Sequence, residues 1–375
     1  MEAFLEFEKP IFSLEKRLQD LRELAKQEGV DFGEEIRLLE KKVATLTSDT
    51  FSTLSAWQRV QLSRHPARPY TRDYVDILFP DFMELHGDRT FGDDQAMLGG
   101  VATWKYPGGE TPVMILGHQK GRSTKQKMER LFGMAKPEGY RKAMRLMSLA
   151  DRSGMPVITF IDTPGAYPGV EAEERGQSQA IAESIRLMFG LNVPVIAVVI
   201  GEGGSGGALA IGVANAVLMQ EYSTYSVISP ESCASILWSD SGLAERASEK
   251  LKMGPRELTQ LGVIDGIVPE PAGGAHRDPA QAAELLKKAL AAHLNPLIHT
   301  MIKVRTKTSA KGRSTTKAGD SPLIQGRMAK FRAMGQDAFI STSSGLTGAA
   351  TGGATTGTAS KRKKPAAIKS KARAK

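Results

Sequence analysis

The sequence predicts an α/β protein: a largely parallel sheet between helical layers, preceded by a helical hairpin and followed by a basic extension without regular structure. Three observations carry this. Short Val/Ile-rich runs bounded by Pro or Gly alternate with helical stretches between about residues 70 and 295. Met155-Pro156-Val157-Ile158 returns 38 residues later as Val193-Pro194-Val195-Ile196, each copy running through a strand into a Gly-containing turn and a helix. The charge is divided unevenly: Lys303–Lys375 carries seventeen Lys/Arg against two Asp, so a total of +9 leaves −6 for residues 1–302.

The elements follow in order. Ile11, Leu14, Leu18, Leu21 and Ala25 repeat at spacings of three and four, which places them on one helical stripe. Gly29–Gly33 interrupts it, and Ile36, Leu39, Val43 and Leu46 resume it, so residues 1–65 are expected to form a hairpin packed on its own domain or on a partner chain. Residues 66–300 form the main domain, with buried strands at Val113–Leu116, Val157–Ile161, Val195–Ile200 and Ala216–Met219. Tyr140–Asp151 and Glu173–Phe189 read as helices between them. Residues 301–375 are expected to be largely disordered, with a short helix allowed within Ser321–Ile340. Ser341–Ser360 is almost wholly Gly, Ala, Ser and Thr, and Lys361–Lys375 is basic with Ala and Pro.

Composition excludes several classes. No apolar run approaches the roughly 20 residues that cross a bilayer, and MEAFLEFEKP lacks the basic-then-apolar order of a signal peptide, so no membrane contact and a cytoplasmic location are expected. A single cysteine, Cys233, excludes an internal disulfide and a cysteine-built zinc site, and no metal is expected on this chain. Nucleic acid is a candidate partner only through the Lys-rich extension.

Candidate chemistry sits at three strand ends. After Val195–Ile200, five of the seven positions Gly201–Gly207 are glycine, and Ala208–Ile211 begins a small-residue helix. Glycine permits close backbone approach to a ligand, and free N–H groups at a helix start can hold an oxyanion with backbone donors alone. A phosphate loop fails here, because Ala208 follows Gly207 where Lys is required, and a dinucleotide fingerprint lacks an early strand–loop–helix. Gly203-Gly204-Ser205-Gly206-Gly207 also fits the G-x-S-x-G elbow of a serine hydrolase, with Ser205 as nucleophile and Asp265 and His276 as candidate partners. The second loop runs from Asp162 through Thr163-Pro164-Gly165-Ala166 to Gly169, and Asp162 reads as an acceptor for loop N–H groups or as a catalytic acid. The third is His118-Gln119-Lys120-Gly121-Arg122, where Lys120 and Arg122 suit a carboxylate or phosphate. Neither glycine loop contains His or Cys, which favours electrostatic stabilisation over a side-chain nucleophile.

ITFIDTPGAYPG (158–169), AEERGQSQAIAESIR (172–186), VIGEGGSGGALAIG (199–212), YSTYSVISPESCASILW (222–238) and GHQKGR (117–122) together resemble the α subunits of multi-subunit acetyl-CoA carboxylase carboxyltransferases. Ser63–Pro66, Arg68–Thr71 and Pro269–Pro279 extend the likeness, which runs to about residue 300. The resemblance implies a crotonase-like spiral of ββα turns. It implies transfer of a carboxyl group from carboxybiotin, on a biotin carboxyl carrier protein, to acetyl-CoA, giving malonyl-CoA for fatty-acid biosynthesis. It implies a Gly206/Gly207 oxyanion hole and a carboxybiotin site made by Gly203, Gly204, Ser205, Thr163, Pro164, Gly165, Ala166, Gln119, Lys120 and Arg122. The implied partners are a zinc-ribbon β subunit carrying the acetyl-CoA site, in an α2β2 assembly, together with the carrier protein and biotin carboxylase.

Overall fold

The computed structural model describes residues 4–28, 31–310 and 321–335. Two helices, α1 (Lys9–Glu28) and α2 (Gly33–Ser52), form the hairpin. Its stripe is half-buried along most of its length and closes at one end, where Ile11 and Phe51 pack with Leu62 and Tyr222 of the main body. Hairpin and main domain thus belong to one compact unit, Met1–Met334.

The chain continues through α3 (Ala56–Ser63), α4 (Thr71–Leu78), β1 (Met83–Glu84), β2 (Met97–Tyr106), β3 (Gly109–His118), α5 (Thr124–Glu129) and α6 (Pro137–Ser153). Next come β4 (Val157–Thr163), α7 (Val170–Glu174), α8 (Gln177–Gly190), β5 (Val195–Gly204), α9 (Ser205–Leu209), β6 (Ala216–Gln220) and β7 (Thr224–Ser226). It ends with α10 (Pro230–Trp238), α11 (Ala244–Leu251), α12 (Pro255–Gln260), β8 (Gly266–Val268), α13 (Pro279–Ala310) and α14 (Pro322–Ala333). The sheet order is β1-β2-β3-β4-β5-β6-β8, with β7 beside the far end of β5. β2 pairs antiparallel with β1 and β3, and the pairs from β3 to β8 are parallel.

The 38-residue repeat pairs with itself: Val157 lies opposite Val195 and Ile158 opposite Ile196, and the Val157 amide donates to the Pro194 carbonyl at 2.8 Å. The two copies are therefore neighbouring turns of a spiral. β5 is buried on both faces and divides its side chains by the two-residue period of a strand. Val195, Ala197 and Val199 join α6 and α8 in one core, whereas Ile196, Val198 and Ile200 join Tyr74 and Val75 of α4 and Leu286, Leu290 and Leu294 of α13 in the other.

Two expectations need correction. The stretch 173–189 is two helices, because Gly176 takes φ +78 between α7 and α8. Order also extends past residue 300. Helix α13 runs on to Ala310, while the short helix allowed within Ser321–Ile340 is present as α14, which inserts Leu323, Ile324 and Arg327 into the main body. The fully buried Arg327 guanidinium donates to the carbonyls of Met188, Leu191 and Val193 and to Asn215 Oδ1, at 2.6, 3.0, 3.1 and 2.7 Å. A basic residue in an apparently polar tail is thus a core group with carbonyl partners. The remainder of the expected disordered extension, residues 336–375, lies outside the described residues.

Candidate active site

Because β3, β4 and β5 are parallel and adjacent, their C-terminal ends lie side by side, and so do the loops that follow them. The loops touch. A Cβ built on Gly207 would fall 2.5 Å from the Ala166 nitrogen and the Gly165 carbonyl carbon, and one on Gly204 would fall 2.0 Å from the Pro164 oxygen. Bare glycines at 204 and 207 therefore let the second loop lie on the first. At Gly207 the open Cα face is taken by protein backbone and not by a ligand, as the sequence suggested.

The helix after the glycine loop is short: α9 has five residues, so its dipole is small and its contribution is a set of amides. Ser205, Gly206 and Gly207 occupy its first turn, where N–H groups have no intrahelical acceptor. Gly207 is buried, Gly206 half-buried and Ser205 exposed with φ +52. Thr163 is buried and locks the second loop: its hydroxyl donates to Gly165 O at 2.6 Å and accepts the Gly165 amide at 3.1 Å.

Lys120 is bound by two carboxylates, Asp162 at 2.8 Å and Glu202 at 2.7 Å. Asp162 also accepts the Glu202 amide at 3.0 Å. Glu202 reaches Arg64 at 2.5 Å, and Arg64 pairs in turn with Glu231 at the start of α10. Burial pulls the Lys120 ammonium down, but Asp162 and Glu202 outweigh it and hold it above the ordinary lysine range. Burial raises Asp162, whereas for Glu202 the charges of Lys120 and Arg64 overcome burial and keep its carboxyl low. The Lys120 charge, expected to suit a carboxylate or phosphate ligand, is thus paired with two carboxylates of the protein itself. Glu202, Arg64 and Glu231 were missed by the sequence reading. Glu202 was in view, as the one acid inside the glycine loop.

A cleft of about 420 Å³ opens over this array, lined by Arg64, Pro66, Tyr70, Lys120, Gly121, Lys127, Phe132, Pro164, Glu202, Ser229 and Glu231. Gly203 and Gly204 border a narrower crevice beside it with Pro164 and Glu202. Two expected site residues serve the scaffold. Gln119 accepts the Arg72 amide and donates to Lys120 O, both at 2.8 Å. Arg122 lies 4.7 Å over the Tyr70 ring, donates to Pro66 O at 3.0 Å and pairs with Asp73, outside the cleft lining. Behind the loops sits His118, fully buried, with neither ring nitrogen hydrogen-bonded among the described residues. Burial and the Lys120 charge push it down to about 3, so its imidazole is neutral.

A hydrolase triad is not assembled. His276 bonds Glu8 at 2.8 Å, and Asp265 accepts the Val217 amide and Lys330, each at 2.7 Å. With Ser205 lacking a base, the site offers backbone amides, a wall of paired ionic groups and a cleft. These features, on a mostly parallel sheet between helical layers, fit the crotonase-like fold class.

Comparison with known proteins gives the particular family. The model described as acetyl co-enzyme A carboxylase carboxyltransferase-like matches residues 4–335, and the chain belongs to that family. It is 58% identical over 293 residues to the acetyl-coenzyme A carboxylase carboxyl transferase subunit alpha of Thermus thermophilus, covering 78% of this chain and 92% of that one. The Thioalkalivibrio sulfidiphilus subunit alpha is 59% identical over 288 residues, with 77% and 89% covered. Among solved structures, a chain of the Pseudomonas malonate decarboxylase hetero-tetramer in complex with coenzyme A shares the fold, with a TM-score of 0.52 at 16% identity and coverage of 73% of this chain and 97% of that one. The enzyme is a carboxyltransferase component, and the serine-hydrolase alternative is set aside. No described helix is long and apolar enough to cross a membrane.

Proposed function

We propose that the chain supplies the carboxybiotin half of the carboxyltransferase site, with carboxybiotin arriving on a carrier protein and acetyl-CoA held by a β partner in an α2β2 complex. The observation that supports this is the convergence of three loops at adjacent strand ends, with Gly203 and Gly204, the residues leading into α9, bordering the crevice beside the cleft. As the N–CO2 bond of carboxybiotin breaks, its electron pair passes into the ureido group and negative charge grows on the ureido oxygen. The amides of Gly206 and Gly207 hold that oxygen, each such donor contributing about 3–4 kcal/mol to the transition state. The methyl group of acetyl-CoA gives up a proton, which ends on the ureido nitrogen, and its carbon forms the new bond to CO2, producing malonyl-CoA. Pro164, Gly165 and Ala166 form the opposite wall. The cross-linked array of Lys120, Asp162, Glu202, Arg64 and Glu231 braces the floor of the cleft. Biotin is thus a cofactor carried on another chain, and biotin carboxylase recharges it.

The test is malonyl-CoA decarboxylation with biotin as acceptor. The chain alone should show no turnover, and addition of the β partner should restore it. Turnover by the isolated chain, or labelling of Ser205 by a fluorophosphonate, would overturn the assignment.

A further inference from the structure

Away from the cleft, Glu8, His65 and His276 meet where the N-terminal segment crosses the main domain. All three side chains are nearly or fully buried. His276 Nε2 lies 2.8 Å from Glu8 Oε1, and His65 Nε2 lies 3.9 Å from Glu8 Oε2. The two rings approach to 4.1 Å between centroids at 38°, and one ligand atom from each residue falls within 4.8 Å of the others. The carboxyltransferase chemistry uses none of these groups.

We propose that Glu8, His65 and His276 form a binding site for a divalent transition-metal ion of the zinc class, which fastens the N-terminal segment to the main domain. Two imidazoles and a carboxylate are a donor set that such ions accept in tetrahedral geometry with water as the fourth ligand, whereas Mg2+ and Ca2+ prefer all-oxygen sets. A cavity of about 570 Å³, bordered by His65, Ala67 and His276, reaches the cluster and gives an entering ion and its water a path. His276 Nδ1 is buried without a hydrogen-bond partner among the described residues, so the proton that Nε2 donates to Glu8 can move to Nδ1 when Nε2 takes up an ion. A Cβ on Gly274, at φ +96, would stand 3.0 Å from that atom, so the glycine leaves room for the ring.

The charges nearby fit a cation. Burial works against ionised Glu8, but His276, the Leu5 amide and the His65 ring together hold its carboxyl below the ordinary range. The Leu5 amide donates to Glu8 Oε2 at 2.9 Å, which leaves Oε1 directed at His276. Arg277, which also borders the cavity, is paired with Glu15. Neutral imidazole is the form that binds metal. The Ala67 amide donates to His65 Nδ1 at 3.2 Å, so ligation through Nε2 exchanges that long contact for the metal bond as the ring proton moves to Nδ1. The expectation of no metal rested on the cysteine count, which does not register a site made of His and Glu.

The experiment uses the untagged full-length chain by itself, so that metal on any partner does not enter the count. After chelation and re-addition of Zn2+, elemental analysis of the gel-filtered protein should find a single equivalent, and Tm should rise with Zn2+ and not with Mg2+. Co2+ should give the visible bands of a tetrahedral N/O site. Glu8→Gln, and His65→Ala with His276→Ala, should lose the equivalent and the Tm response. His86→Ala, at the exposed cluster of His86, Glu84 and Asp93, should keep both. Zinc retained unchanged by the double variant, or no zinc and no Co2+ spectrum in the unaltered chain, would overturn the proposal. The second result does not depend on any variant folding.

Discussion

Gly207 and Gly206 are adjacent in the same loop, yet the structure gives them opposite sensitivities. An added Cβ at Gly207 meets the backbone of Gly165 and Ala166 at 2.5 Å, where ordinary contact begins at about 3.4 Å. Neither backbone can rotate aside as a flexible side chain could, so Gly207→Ala must open the two loops by about 0.9 Å, the difference between those distances. A misplacement of about 1 Å at a preorganised site costs on the order of 100-fold in rate, or about 2.7 kcal/mol. At Gly206 the same methyl meets only the Ile181 side chain, at 3.6 Å and beyond. Gly206→Ala should therefore stay within about threefold of the unaltered turnover, since it keeps both the amide and the loop spacing. The assay is malonyl-CoA decarboxylation with biotin as acceptor, beside size-exclusion of the mixed subunits to show that each variant still assembles. Near-normal turnover by Gly207→Ala in an intact complex, or equal damage from Gly206→Ala, would show that the spacing of these loops does not control the oxyanion site.

Three further outcomes follow from other parts of the molecule. Ser205→Ala should keep turnover within about threefold, because the exposed hydroxyl has no base and both residues bear the same Cβ at φ +52; a fall to background in the same assay would contradict this. Arg327→Met should lower stability by about 3 kcal/mol in urea titration, because it strands the acceptors on Met188, Leu191, Val193 and Asn215; a change under about 0.5 kcal/mol would refute the role given to α14. His118 makes the fold acid-sensitive. Its folded pKa of about 3 lies below the ordinary 6.5, so the unfolded chain binds the extra proton, and stability falls as pH drops from about 6.5 toward 3. The slope is at most about 1.4 kcal/mol per pH unit. Asp94, pushed up to about 6 by burial, acts with opposite sign as pH falls from about 6 toward 4. The His118 part is therefore read as the difference from His118→Leu, whose stability should fall less steeply; parallel curves would rule it out.

The sheet interior was legible because β4, β5 and β6 are buried on both faces and so open on runs that are mostly apolar. β2 was not. Its Gly99-Gly100 resembles a turn, whereas a Cβ at Gly100 would meet the Met83 oxygen of β1 at 2.2 Å and one at Gly99 would meet the Leu146 side chain of α6 at 2.5 Å, so the two glycines admit neighbours on opposite faces. The three site loops were found from their glycines and prolines, since those residues report backbone shape directly. The roles of Lys120, Gln119 and Arg122 were not readable. Whether a cation faces a ligand or a carboxylate depends on residues 40 to 80 positions away, such as Asp162 and Glu202, and pattern within one segment is silent on that. Arg327 was hidden for the same reason, its partners being carbonyls, which no side-chain signature announces.

The N-terminal segment docks through residues made much later: Glu8 with His276, and Glu15 with Arg277. At a synthesis rate of about 5–20 residues per second, a chain must wait on the order of 15–50 s after its first helix leaves the ribosome before its docking surface exists. During that interval the amphipathic stripe of α1 has α2 and Leu62 of α3 to cover it, without Tyr222. The loop carbonyls at Met188–Val193 wait longer still, until Arg327 is delivered. Both ends of the catalytic unit are therefore closed by its last-made portion, and a nascent chain stalled before about residue 330 would hold the amide loop and cleft without the groups that seal the body around them.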